Sequence, residues 1–154
     1  MVQFESIATP ALYSNAAALF KEYAVWLGID LKFQNFDAEL ADLPTVYGPP
    51  GGAIILGMED GNCIACVAVR KLSAGVAELK RMYVKPAWQG KGVGTDLLKA
   101  ALEMAKNLGY ASIKLDTLSH MHSAIQLYER HGFKRTNAYY HNPNETTVYM
   151  QKTL

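Results

Sequence analysis

Glycines at positions 90, 92 and 94 stand directly in front of an amphipathic helix, in the stretch WQGKGVGTDLLKAAL. Glycine opens left-handed backbone conformations and lets a ligand approach closely. The first amides of a helix have no partner inside it and point outward. Together with the helix dipole they make a seat for an anion, a phosphate or a diphosphate. The candidate donors are the amides of Gln89, Gly90, Lys91, Gly92, Val93, Gly94 and Thr95, and Lys91 adds a positive charge. The spacing G-x-G-x-G misses the dinucleotide fingerprint, and no acidic residue follows at the distance that would hold a ribose. No G-K-[ST] closes the run as a P-loop. A plain tight turn would also use these glycines.

Two other constellations carry less. Cys63 and Cys66 have the C-x-x-C spacing, but NCIACVAVR reads as a strand. Residues three apart on a strand point to opposite faces, so two separate buried thiols in a reducing compartment are expected. No second cysteine pair exists to complete a zinc site. His120 and His122 form an H-x-H pair without a third ligand, and no metal is expected there.

The elements that must position the glycine turn follow from pattern. FESIA begins a strand. Thr9-Pro10 caps a helix that carries Leu12, Ala16, Leu19, Tyr23 and Trp26/Leu27 on one face and stops at Gly28. NFDAELADL reads as a short helix and PTVYGPPGG as a loop. AIILGM, CIACVAVRKL and VAELKRMYV form an antiparallel meander with tight turns at EDGN and SAG. The glycine-led helix has Val93, Leu97, Leu98, Ala101, Leu102, Ala105 and Leu108 on one side and charges opposite. ASIKLD is a strand, HSAIQLYERH a helix, and FKR and TVYMQKTL close the chain as strands. Gly28, Gly109 and Gly132, each followed by an apolar residue, end the three long helices in the Schellman manner. The order is α/β. Residues 79–116 should make a right-handed parallel β-α-β core in an otherwise antiparallel sheet, with helices on both faces.

KRMYVKPAWQGKGVGTDLL resembles the acyl-CoA signature Q/R-x-x-G-x-G/A of the GNAT superfamily of N-acetyltransferases, on Gln89, Gly92 and Gly94. SAIQLYERHGF resembles that family's A-x-x-L-Y-x-x-x-G-F segment. The resemblance covers about residues 53 to 150. It departs at Met121, where many members carry an asparagine that contacts the cofactor; Ser119 or Ser123 would have to replace it.

The resemblance implies acetyl transfer from acetyl-CoA to an amine by direct attack. The diphosphate would sit on the amides of 89–95. The edge of the strand at Met82, Tyr83 and Val84 would pair with the pantetheine amides, as in strand addition. A backbone amide near Tyr83 and Val84 would polarise the thioester. An amine of pKa near 10 costs about 4 kcal/mol to supply neutral at pH 7. Glu78 and Asp116 are the candidate bases, and Tyr128 would protonate the leaving thiolate. Apart from the resemblance, Glu78 reads as a cross-strand partner of a lysine, Asp116 as a loop cap and Tyr128 as core packing. The acceptor would meet NFDAELADLPTVYGPP, with Asp37, Glu39 and Asp42, and TNAYYHNPNET, with Tyr139 and Tyr140. A cationic amine would suit both stretches, which also read as a solvated helix face and a tyrosine-rich turn.

With 154 residues, half of them hydrophobic, the chain is expected to be a single domain over 1–154. A net charge of +1 gives no footprint for nucleic acid or anionic lipid. The N-terminus lacks a basic leader and no apolar run approaches a membrane span, so a cytoplasmic protein is expected. Its expected partner is a small-molecule or peptide amine, and an exposed sheet edge leaves room for a homodimer. The rival functions are a non-catalytic acyl-CoA sensor and a nucleotide-binding domain.

Overall fold

The computed structural model describes residues 1–154. Seven strands form one sheet in the order β1-β2-β3-β4-β5-β7-β6. They are β1 (Gln3–Ser6), β2 (Ala53–Glu59), β3 (Asn62–Ser73), β4 (Val76–Val84), β5 (Ser112–Leu118), β6 (Lys134–Thr136) and β7 (Thr147–Thr153). Every neighbour is antiparallel except β4 and β5. The helices are α1 (Pro10–Leu27), α2 (Phe36–Ala41), α3 (Leu43–Tyr47), α4 (Val93–Asn107) and α5 (His122–Arg130). None is long and apolar enough to cross a membrane.

The sheet separates two cores. On one side Val93, Leu97, Leu98, Ala101 and Ala105 of α4 pack with Ile125 and Tyr128 of α5. On the other, Ala16, Leu19 and Phe20 of α1 pack with Leu31, Phe36, Leu43 and Tyr47. Thr9 caps α1 through its side chain, with Pro10 in the first turn, as the sequence signals. Gly28, Gly109 and Gly132 all adopt positive φ. At the last two, Tyr110 and Phe133 donate back across the helix end to Ala105 and Tyr128, the Schellman bond. The Schellman stop expected at Gly28 is incomplete, because there the glycine amide itself bonds to Ala24 and Val25 and Ile29 makes no such bond.

Two expectations fail locally. The short helix expected over 35–43 breaks at Asp42, and a second helix runs over Leu43–Tyr47, taking in residues 44–47, expected as loop. Pro44 lies in its first turn, where a missing amide costs nothing. Second, Cys63 and Cys66 lie toward the same core rather than on opposite faces. Cys63 pairs with Met58 and Ala65 with Gly57, so β3 spends an extra residue at Ile64. This bulge resets the alternation, and Ile64 and Ala65 both face the other core. Both thiols are free.

A second bulge governs the centre of the sheet. Lys80 pairs with Ala68 and Tyr83 with Cys66, so Arg81 and Met82 together oppose Val67. Arg81 has φ 57°, in the left-handed region. The bulge leaves Lys80 and Arg81 on the same face and turns Met82 to the α4 side. Buried Arg81 is held by Glu39 of α2, Nε to Oε2 and Nη2 to Oε1, both at 2.9 Å. Its guanidinium also lies 5.1 Å over the Phe36 ring. Removing one member of a buried ion pair leaves the other charge uncompensated, at about 3–5 kcal/mol. Glu39→Ala is therefore expected to lose that much stability in urea unfolding, far more than alanine at the exposed neighbour Asp37.

Candidate active site

Strands β4 and β5 pair only from Val76 to Glu78 and from Ser112 to Lys114. Beyond that β4 runs on to Val84 with no partner on this side, and the sheet opens into a V. A cavity of about 620 Å³ fills it. Its walls include Met82, Tyr83 and Val84 of the bare edge, Asp116 of β5, Tyr128 of α5 and the turn before α4.

In that turn Gly90 and Gly92 take φ of 75° and 84°, which an L side chain rarely adopts. The Gln89 amide bonds back to Pro86, and the first backbone bond into the helix comes from Asp96 to Gly92. Between them the amides of Gly90, Lys91, Gly92, Val93, Gly94 and Thr95 donate to nothing in the protein. This run faces the cavity through Gly90, Gly92, Gly94 and Thr95. A Cβ on Gly94 would meet only Leu127, at an ordinary 3.6 Å, so internal packing does not demand a glycine there. The Gln89 side chain donates to the Val84 carbonyl at 2.8 Å and ties the turn to the end of β4.

Not every expected residue arrives. The Lys91 side chain is exposed and does not line the cavity, and Val93 is buried in the core below it. Only their amides serve the turn. Met121, the position at which the sequence departs from the motif it resembles, lines the cavity; Ser123 lines it too and Ser119 does not. Arg130, at the end of α5, also reaches the cavity, a position that neither sequence motif singles out.

Tyr128 is 7% exposed, and its hydroxyl meets the Met82 sulfur at 3.7 Å. Burial, and after it the charges of Tyr23 and Asp116, push its phenol well above the ordinary value. It stays a proton donor.

The candidate bases part company. Glu78 does not line this cavity; it borders a second one of about 370 Å³. Its carboxylate accepts from Arg70 at 2.9 Å and from Tyr139 at 2.8 Å, with Lys80 3.9 Å away. Asp116 lines the main cavity and accepts only from Tyr140, at 2.8 Å through Oδ2. Tyr139 and Tyr140 thus cover the two carboxylates rather than forming a solvated turn. Of the acidic stretch, Glu39 is spent on Arg81, and Asp37 and Asp42 are exposed.

One arc of hydrogen bonds frames the deep end. Lys80 donates to Gln34 Oε1 at 2.9 Å, and Arg81 to the same oxygen at 2.7 Å. Gln34 Nε2 donates to Tyr140 at 3.0 Å, as does Asn142, and Tyr140 donates to Asp116. The sequence hint was the polar doublet Lys80-Arg81, which breaks the alternation of VAELKRMYV. Gln34 gave no hint.

A Cβ at Gly92 would find open space, so any cost there is conformational, about 1–2 kcal/mol for a left-handed L residue. Gly92→Ala is expected to lose that amount in urea unfolding, while Gly94→Ala leaves stability nearly unchanged.

The family model described as acetyltransferase (GNAT) matches residues 15–133. An uncharacterized N-acetyltransferase of Schizosaccharomyces pombe is 38% identical over 152 residues, covering 97% of this chain and 93% of that protein. An acetyltransferase of the GNAT family from Staphylococcus aureus superposes with a TM-score of 0.81 at 17% identity, covering 99% of each chain. The PaiA N-acetyltransferase of Thermoplasma acidophilum, solved in complex with coenzyme A, gives a TM-score of 0.77 at 17% identity. There the match covers 100% of this chain and 99% of that one. With its parted strands, its unpaired helix mouth and these likenesses, the chain belongs to the GNAT family of acetyltransferases.

Proposed function

We propose that the protein transfers an acetyl group from acetyl-CoA to the primary amine of a small molecule or peptide by direct attack. The observation that carries this reading is the run of free amides from Gly90 to Thr95, opening onto the same cavity as the bare edge of β4 and the Tyr128 hydroxyl. When bound, acetyl-CoA supplies the thioester at which the amine forms a C–N bond as the C–S bond breaks. The free amides and the positive end of α4 suit its diphosphate. The unpaired backbone of β4 suits the pantetheine amides. Gly94, which internal packing leaves free to vary, keeps that approach open.

Asp116 takes the proton from the ammonium group. It borders the cavity and its Oδ1 is free, whereas Glu78 is already engaged by Arg70 and Tyr139. A carboxylate whose two oxygens already accept from other side chains has no lone pair aimed at an incoming ammonium. Tyr128 gives a proton to the departing thiolate, and its burial keeps that proton in place at neutral and mildly alkaline pH.

The test is thiol release from acetyl-CoA with a panel of primary amines, together with stabilisation of the protein by CoA alone. No CoA-dependent shift in Tm and no thiol release with any amine would overturn the reading. Tyr128→Phe is expected to lower kcat about 100-fold or more while CoA affinity stays within a few-fold. Unchanged turnover would remove the phenol from the mechanism. Asp116→Asn is expected to cost a similar factor, recovered in part at high pH, where free amine no longer needs a base. In the wild type the rate should not fall as pH passes about 10, the ordinary phenol value, because Tyr128 ionises above it.

A further inference from the structure

The charges at the deep end of the cavity do not cancel at random. Arg81 is neutralised by Glu39 through two bonds, and Glu78 is taken by Arg70. What remains lining the cavity there is one cation, Lys80, and one carboxylate, Asp116. An ammonium carries three donors. Lys80 directs one at Gln34, and its only carboxylate neighbour within ion-pair range, Glu78, is 3.9 Å away and already shared.

The two stand side by side for a reason that lies in the backbone. Glu78 and Lys114 are cross-strand partners in the last paired step of β4 and β5. Lys80 and Asp116 lie two residues further along each strand, on the same face as that pair. They are therefore the first facing residues after the strands part. The arc from Lys80 through Gln34 and Tyr140 to Asp116 then fixes one relative to the other. Gln34 must present its oxygen to Lys80 and its amide nitrogen to Tyr140, and both bonds set its orientation.

We propose that the acceptor is an amino acid or a close relative: a small zwitterion whose carboxylate lies on Lys80 and whose ammonium lies on Asp116. This rests on the acetyltransferase reading and adds the class of acceptor. The polarity is set by the charges: the ammonium, which must lose its proton, lies on Asp116, whose Oδ1 is free, and the carboxylate lies on the cation. A simple cationic amine would leave buried Lys80 with only Glu78, 3.9 Å away and already shared with Arg70, as a counter-charge. A large peptide amine would bring no carboxylate near its α-amino group.

The experiment compares each free amino acid with its carboxamide and with the amine that lacks the carboxylate altogether. Two measurements are made: kcat/KM by thiol release, and calorimetric binding of the acceptor to the CoA-saturated protein. The acid form is expected to win by about 10- to 150-fold in kcat/KM, the range for a hydrogen bond to a charged group. The difference should lie mostly in KM and appear equally in binding. In a Lys80→Met protein of native circular dichroism, acid and carboxamide should become equal. The proposal is overturned if carboxamides or plain amines match the acids in the wild type, whatever Lys80→Met does. It is overturned too if the folded variant keeps the preference, or if CoA binds but no amino acid is bound or turned over. In those cases stabilisation by CoA leaves the donor site standing. Loss of both CoA stabilisation and thiol release instead removes the underlying acetyltransferase reading.

Discussion

The left-handed residue at Arg81 is the constraint on which the rest of the site depends. A non-glycine residue there stores on the order of 1–2 kcal/mol of strain, and persists only where its surroundings over-determine it. Glu39, Gln34 and Phe36 do so by gripping the guanidinium from three sides. With the bulge in place, strict alternation ends at Lys80. Lys80 and Arg81 share one face, and Met82 turns to meet the Tyr128 hydroxyl. Without it, Met82 would follow Lys80 away from the phenol. A single ion pair between a short helix and a central strand therefore decides which side chains meet the reacting groups.

The same strand explains how much could be read beforehand. The glycine turn, the left-handed glycines that end the three long helices, the meander and the parallel crossover were all legible, because each depends on local residue types at fixed spacing. The bulges were not. In β3 both faces are buried, so an extra residue at Ile64 leaves no trace in the apolar pattern, and the inference about Cys63 and Cys66 fails for that reason. In β4 the doublet Lys80-Arg81 did leave a trace, as two polar residues in succession after the alternating run Ala77-Glu78-Leu79-Lys80. The division of labour between Glu78 and Asp116 was closed to sequence altogether. It depends on how far two strands diverge and on which tyrosine of a distant loop covers which carboxylate.

Polar groups at this depth are tolerable only when satisfied. The arc from Lys80 to Asp116 meets that demand with side chains from four separate segments: β4, the turn before α2, the loop before β7, and β5. Each bond along it has one sensible donor. The result is a wall carrying Lys80 at one end and Asp116 at the other, beside a turn before α4 whose free polar groups are backbone amides. The turn presents those amides whatever side chains surround them, whereas the wall depends on the identity of each side chain in it.

The two cores divided by the sheet have a bearing on descent. The helix mouth and the phenol stand on the core built from α4 and α5, while Gln34 and Glu39 stand beside Leu31 and Phe36 in the other. Substitutions that reshape one wall are absorbed by packing that the opposite wall does not share. Residues 31–41 can thus be rebuilt across generations without disturbing the packing beneath the turn before α4.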